Sequence, residues 1–552
     1  MKTDVKEGIK SVMTDPAQKD GETAPTPKGV LLQAKELTIR APAGVNVLSD
    51  ISFHVEPGEL VALTDLGLSG KSTLLQSLAG LIKPESGEIL IDGVDLYANL
   101  KAFRPIIGFV PAEFALHQNL TVSETLQDAA LLCLPRSMRA QDRQQRVRTV
   151  LDSVSLTQVA DQRVGLLSNV EQRRLSIAVE LMGYPKLLLI DYPSKPLSSF
   201  EDVQITILLR ELSRQGLTII QVNPRSRSTG VTDKIIFLAP KGFLGWFGPA
   251  DETLGYLKGF LPRGVVKDLF GLQEALEMLV NPLETDGSEW AKRFKDHEAY
   301  QKYVEDPLNN RYPDLMLQTR PLIRLRLRNS SKEKLPPPII QRANNIQKLI
   351  LLIQRNFRLL WRDRAGLLML VIPPLVALVH FILSPGGADS NRLPVVFDLF
   401  VFLVVLTAAM LVQNEIFKER AVYEREQRTT PLLFPYILSK IWLVGLLAIY
   451  QGLVWTVIHS LGQIGSATGS QDLLASGITL SLVAFFGGVL GLMVSALSKR
   501  TMTSVSWVLL LTVPLLLFFN PSNSWLSLII VSLFLIILLL MIQNRVGSVS
   551  TS

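Results

Sequence analysis

A lysine, two hydroxyls and a carboxylate stand in an order that suits phosphate chemistry. The apolar run Leu60-Val61-Ala62-Leu63 leads into Thr64-Asp65-Leu66-Gly67-Leu68-Ser69-Gly70-Lys71-Ser72-Thr73, and then into the helix-forming Leu74-Leu75-Gln76-Ser77-Leu78. Strand, loop with Gly-Lys-Ser-Thr, and helix follow one another as a P-loop requires. Backbone N–H groups at the helix start would face phosphate oxygens, Lys71 would reach the β/γ oxygens, and the Ser72 hydroxyl would bind Mg²⁺. The predicted nucleotide-binding residues are therefore Ser69, Gly70, Lys71, Ser72 and Thr73. Downstream, Leu187-Leu188-Leu189-Ile190-Asp191 is an apolar strand ending in an acid, which makes Asp191 the second predicted Mg²⁺ ligand beside Ser72. Gly-Lys-Ser-Thr alone arises by chance in a long chain; its context makes it specific.

The elements that must hold these residues are legible in how composition varies along the chain. Its 552 residues are 48% hydrophobic and 19% charged, with mean hydropathy +0.28, too long for one ordinary domain and too apolar for a wholly soluble protein. The single Cys133 excludes an internal disulfide framework, and uniform disorder and collagen fail on the same composition. Residues 1–28 mix Lys, Asp, Glu, Thr and Pro and are followed by no apolar leader segment, so they read as a disordered tail. From 29 to 262 short apolar runs alternate with helix-period segments, which predicts an α/β domain with buried strands. Residues 263–343 are polar on average, with Trp290, Phe294 and Tyr303 in a helical setting, and read as a linker.

Six apolar runs follow, at about 365–384, 395–412, 441–458, 478–497, 504–519 and 525–543, each near the ~20 residues a helix needs to cross a bilayer. With a cytoplasmic amino terminus, the inside loops carry Lys418, Arg420, Arg425, Arg428, Lys440, Lys499, Arg500 and Arg545 against Arg392 outside, which predicts cytoplasmic termini. Between Arg320 and Arg364 twelve basic residues face two acids, a density that suits anionic headgroups. Within it, 344–364 combines an apolar face with Arg355, Arg358, Arg362 and Trp361, as a connecting helix in the membrane interface would. The net charge of +7 is thus concentrated at the membrane, and nucleic acid is not an expected partner.

Further motifs carry a resemblance. Leu167-Ser168-Asn169-Val170-Glu171-Gln172-Arg173-Arg174-Leu175 resembles the signature helix of ATP-binding cassette (ABC) proteins, with Ser168, Asn169, Val170 and Glu171 as the signature remnant. Gly108-Phe109-Val110-Pro111 resembles the segment that carries their Q-loop, and Leu120-Thr121-Val122-Ser123-Glu124-Thr125-Leu126 a stretch typical of the G subfamily. The runs Ile416 to Glu426 and Pro435 to Lys440 resemble the coupling segment of ABC-2 type half-transporters. Over residues 30–545 the chain therefore resembles a G-like half-transporter. The resemblance implies an α/β P-loop NTPase-type cassette followed by an all-α six-helix transmembrane domain (365–545) and a short tail (546–552). It also implies ATP and Mg²⁺ as cofactors, a lipid membrane and a second ABC subunit as partners, and a cassette–membrane contact through Glu419, Arg420, Arg425 and Glu426.

Single positions depart from that pattern. The family's P-loop has glycine where this chain has Asp65 and Leu68: a negative charge beside the phosphate site, and a branched side chain where backbone must approach closely. The family's water-polarising glutamate is Tyr192, and a phenol of pKa about 10 is no base at neutral pH. Ala112, Ser198, and Val222 or Asn223 replace the Q-loop, D-loop and switch residues; Asn169 and Val170 replace two signature glycines, and the upstream adenine-stacking aromatic is missing between Glu36 and Ala41. These departures predict a degenerate subunit with no catalytic residue of its own, favouring a heterodimer with an intact partner over a homodimer, engaged in export of an unspecified substrate across a bacterial cytoplasmic membrane. A non-transporting membrane scaffold or sensor is the other reading.

Overall fold

The short apolar runs of the amino-terminal part become strands of one ten-stranded sheet. The computed structural model describes residues 29–41, 44–65, 69–192, 198–223, 230–260, 275, 287–309, 343–383, 393–462, 470–498 and 508, and the chain separates into two units between Arg342 and Ala343. In the first unit the strands are β1 (Leu32–Arg40), β2 (Asn46–Val55), β3 (Leu60–Asp65), β4 (Ser86–Ile91), β5 (Val94–Asp95), β6 (Ile107–Val110), β7 (Leu187–Ile190), β8 (Thr218–Val222), β9 (Lys234–Ala239) and β10 (Phe243–Pro249). They run in the order β5-β4-β1-β2-β10-β9-β3-β8-β7-β6. The main helices are α1 (Lys71–Leu78), α2 (Val122–Cys133), α3 (Ala140–Ser153), α4 (Asn169–Leu181), α5 (Ser199–Arg214), α6 (Ala250–Lys258) and α7 (Gly287–Lys295).

Strand β3 is parallel to both neighbours, with Leu60 opposite Ile219 of β8 and Val61 opposite Lys234 of β9; β7 continues the parallel set beside β8 and β6. Every residue of β3, β7 and β8 is buried, as a continuous apolar run demands when both faces of a parallel sheet are covered. Alternate residues serve opposite cores: Leu187 and Leu189 pack with Leu63, Leu74 and Ile236, whereas Leu188 and Ile190 pack with Leu60, Leu175 and Leu209. Parallel strands end on one edge of a sheet, so Asp65, Asp191 and Asn223 emerge on the same side. That edge is where ligands bind in open α/β sheets.

Residues 287–309, part of the stretch read as a linker, add to this sheet instead. Trp290 and Phe294 of α7 are fully buried, Trp290 edge-on to Phe237 and Phe294 tilted against Trp246. Their i, i+4 spacing makes one apolar stripe, which the surrounding Lys292, Arg293 and Lys295 conceal in a compositional average.

The second unit is helical: α8 (Asn345–Arg362), α9 (Arg364–Met369), α10 (Ile372–Leu383), α11 (Leu393–Val412), α12 (Glu415–Thr429), α13 (Leu433–Gly462) and α14 (Ser470–Leu497). Among the described residues, three helices are long and apolar enough to cross a bilayer, Phe400–Arg428, Leu433–Leu461 and Leu474–Leu497; Asn345–Arg362 with Gly366–Ile382, bent by 84°, makes a fourth if counted as one span. The predicted spans at 504–519, Val508 apart, and 525–543 lie outside the described residues, as do the tail 1–28, Arg392, Lys499, Arg500 and Arg545. The expected inside loop 414–440 is almost wholly helix, since only residues 430–432 separate α12 from α13. Glycine permits the closest packing: a Cβ on Gly487 or Gly491 of α14 would collide with the Val405 or Ala409 carbonyl of α11.

Candidate functional site

At the end of β3 the chain turns through Ser69 and Gly70 into α1. Gly70 is the N-cap, with φ 80° and ψ 21°, and a Cβ there would lie 2.8 Å from the Val47 carbonyl oxygen. Only glycine takes this left-handed conformation without strain, which explains its place before Lys71. The first helical bond runs from Leu74 N–H to the Gly70 carbonyl at 2.9 Å.

Lys71 and Ser72 thus open α1, with Thr73 behind them. The Ser72 hydroxyl donates to Asp191 Oδ1 at 3.1 Å, across 119 residues of sequence, while the Tyr192 N–H donates to the same oxygen at 2.9 Å. Two predicted Mg²⁺ ligands are therefore together, one a hydroxyl on an exposed residue and one a buried carboxylate. Two hard oxygens fit Mg²⁺, which keeps several waters and takes further oxygens from phosphate. Among the described residues no cluster of three or more His, Cys, Asp or Glu side chains could hold a metal alone. Lys71 is not free for a ligand: its ammonium pairs with the carboxylate of Asp65, and the Ser69 hydroxyl donates to the same Asp65 Oδ2 at 2.6 Å.

Sequence reasoning missed Arg173. Its guanidinium, 2% exposed, donates to the Pro111 carbonyl at 2.9 Å and to the Asp191 backbone carbonyl, joining α4 to the ends of β6 and β7. Burial lowers its pKa to about 10, against the pull of Asp191, Asp202 and Tyr192, so it remains charged at neutral pH. The available signal was an arginine inside the otherwise buried face of the signature helix.

Ser168, Asn169, Val170 and Glu171 form the start of α4. Ser168 is its N-cap: Glu171 N–H donates to the Ser168 hydroxyl at 3.3 Å, and Ser168 N–H donates to the Glu171 carboxylate at 2.8 Å. That capping box is a local device of helix initiation, and Val170 turns into the core at 8% exposure. Tyr192, in the position expected for a base, is half-buried against the core that holds Leu63 and Leu189. Ser198 caps α5 in the same manner, and Asn223 N–H donates to the Leu63 carbonyl at 2.9 Å.

In the helical unit, Glu419, Arg420, Arg425 and Glu426 all lie on α12, but they are not one surface. Arg355 of α8, 2% exposed, pairs with Glu426 at 2.7 Å; Arg425 lies 3.6 Å from the same oxygen; Glu419 pairs with buried Lys440 of α13 at 2.9 Å. Of the four, only Arg420 is exposed, paired with Glu424 at 2.8 Å. Helix α8 buries Lys348, Arg355 and Asn356 together with Leu351 and Leu352, while Ile346, Ile350, Phe357 and Trp361 form an exposed apolar stripe. The predicted interfacial arginine Arg355 is therefore an internal ion-pair partner. His380 of α10 meets His459 of α13 at 3.0 Å.

Comparison with known proteins agrees with this arrangement. Residues 48–195 match the ABC transporter family, and residues 347–521 match the ABC-2 type transporter family. The chain is 26% identical over 477 residues to the ABC transporter ATP-binding/permease protein Rv1747 of Mycobacterium tuberculosis, covering 82% of this chain and 50% of that protein. It is 35% identical over 227 residues to the broad substrate specificity ATP-binding cassette transporter ABCG2 of Rattus norvegicus, covering 40% and 34%. It is 29% identical over 365 residues to ATP-binding cassette sub-family G member 5 of Mus musculus, covering 63% and 53%. The chain thus spans about half or less of the length of these relatives. With a nucleotide-type cassette first and an ABC-2 type helical domain after it, each matched in its own stretch, the chain belongs to the ABC transporter family, in its cassette-first, ABC-2 type branch.

Proposed function

We propose that the chain is the fused ATP-binding and permease subunit of an exporter, that it works as a dimer with an intact ABC partner, and that its own nucleotide site turns over slowly or not at all. One observation carries this reading: Ser72 meets Asp191 at the sheet edge as a phosphate–Mg²⁺ site requires, yet the next residue is Tyr192. Mg²⁺, when bound, would neutralise phosphate charge between Ser72 and Asp191. The chain's own groups do the rest. The amides at the start of α1 would face the phosphates, Arg173 fixes the backbone of Asp191, and Tyr192, a phenol in place of a carboxylate, would leave a water without a base. Hydrolysis is then left to the partner's P-loop and base, with the helical unit in a bacterial cytoplasmic membrane and the cassette and both termini on its cytoplasmic side.

The test is ATP turnover by the chain alone in lipid. Turnover near background, with binding of a fluorescent ATP analogue lost in Lys71→Ala, is expected. Rates typical of active transporters, abolished by Lys71→Ala, overturn the degeneracy. Co-purification from the native membrane then checks the partner: a second cassette chain at equal stoichiometry supports a heterodimer, and this chain alone as a dimer refutes it.

A further inference from the structure

We infer that Asp65 is a built-in competitor for the phosphate seat: its carboxylate holds the P-loop ammonium in place of a nucleotide oxygen and thereby limits how tightly this chain takes anionic ligands. The inference deepens the reading of Lys71 as a phosphate-binding lysine and rests on it. Asp65 ends β3, Lys71 begins α1 directly after the left-handed Gly70, and the two side chains meet. A single carboxylate oxygen, Oδ2, takes both the Lys71 ammonium and the Ser69 hydroxyl, which are two groups that the loop would otherwise turn to a phosphate. The Asp65 side chain is 4% exposed and that of Lys71 18%, so the pair is formed largely out of water.

Two consequences follow from electrostatics. A nucleotide phosphate that recruits Lys71 must strip Asp65 of its counter-ion and leave a buried carboxylate unpaired beside added negative charge. Otherwise Lys71 stays with Asp65 and the phosphates lose their strongest donor. Either route weakens binding by about 10- to 100-fold, the usual penalty for an unsatisfied buried charged group. The internal anion does for Lys71 what a bound phosphate would do.

The test is binding of a fluorescent ATP analogue with Mg²⁺ to the full chain in lipid nanodiscs, comparing wild type, Asp65→Asn, Asp65→Gly, Lys71→Ala and the Asp65→Asn/Lys71→Ala double variant. The near-isosteric Asp65→Asn keeps the fold if the glycine loosens the loop, and a melting curve accompanies each protein. The expected result is affinity about 10- to 100-fold tighter for Asp65→Asn and Asp65→Gly, with the gain absent in the double variant. Equal affinity of wild type and Asp65→Asn, both weakened by Lys71→Ala, overturns the competition while leaving the P-loop reading intact. A gain that persists in the double variant overturns the claim that Asp65 acts through Lys71. If none of the five binds nucleotide, the P-loop reading fails and the inference fails with it.

Discussion

Lys440 offers the sharpest quantitative test of the helical unit. Its ammonium, in a side chain 2% exposed, donates to Asn356 Oδ1 at 3.1 Å and Glu415 Oε2 at 3.1 Å, and pairs with Glu419 Oε2 at 2.9 Å. It therefore joins α8, α12 and α13 at one point. At 3 Å and an effective dielectric of 20 each carboxylate pairing is worth about 5 kcal/mol gross, and desolvation removes much of that. Removing the cation alone is costlier than removing the whole cluster, because Glu415 and Glu419 are then left facing each other. Lys440→Met should cost about 3–5 kcal/mol, the range for breaking a buried pair. At roughly 2–4 °C per kcal/mol for a unit of this size, the melting point should fall by about 6–20 °C. Adding Glu415→Gln and Glu419→Gln to Lys440→Met should recover most of it, since neutral groups of similar shape carry no unpaired charge. The assay is scanning fluorimetry of the chain in nanodiscs, with ATP-analogue binding as a check that the cassette stays folded. A Lys440→Met protein that melts within about 2 °C of wild type, or a triple variant less stable than the single, refutes the reasoning.

Arg173→Met should cost about 2–3 kcal/mol and weaken nucleotide binding, since the Pro111 and Asp191 carbonyls lose a charged donor; an unchanged melting curve counts against the tie between α4 and the strand ends. Gly487→Leu should separate α14 from α11 and cost about 1–3 kcal/mol or more, measured as loss of monodisperse protein in detergent, whereas Gly445→Leu, with nothing near its missing Cβ, should be tolerated. A pH dependence follows from Lys295, whose pKa is raised from 10.5 by its 2.6 Å hydrogen bond to Asp50, partly offset by burial. The folded state binds this proton more tightly, so the stabilisation is fully present below about pH 10.5 and is lost as pH rises through the raised value. Trp290 fluorescence on α7 should report the loosening, and Asp50→Asn should remove that step.

The parts of the molecule legible in sequence are those where one residue type has one environment. The buried parallel strands read directly as Leu60–Leu63 and Leu187–Ile190, because a strand covered on both faces has no polar alternation to blur it. The acid after the second run could be placed for the same reason: strand ends in a parallel sheet share an edge, so Asp191 had to approach Ser72. Where a side chain has two plausible environments, sequence does not choose. Arg355 on an amphipathic helix reads as a solvated charge, yet α8 turns its apolar stripe outward and sends Arg355 to Glu426, because an exposed hydrophobic face costs nothing against lipid. Lys440 reads as a loop charge under the positive-inside pattern, but α13 starts at Leu433 and carries it into the bundle. Trp290 and Phe294 hide in a polar average for the converse reason.

Two carboxylate-paired lysines, Lys440 and Lys71, show how one piece of chemistry has opposite effects in the two units. In the helical unit Glu415 and Glu419 neutralise Lys440, which also donates to Asn356, so the pairing stabilises a three-helix junction. In the cassette Asp65 neutralises Lys71, and there the cation is the group proposed to take phosphate. A substitution of glycine by aspartate at such a site does more than remove space for a backbone. It supplies an anion for Lys71 internally. The roles proposed for Tyr192 and for Asp65 are then separable. Tyr192→Glu alone should leave affinity as weak as in wild type, and Asp65→Asn alone should tighten binding without raising turnover. Nucleotide affinity and ATP turnover measured on the two single variants and the double decide it: a rise in affinity from Tyr192→Glu, or in turnover from Asp65→Asn, shows that the two defects are one.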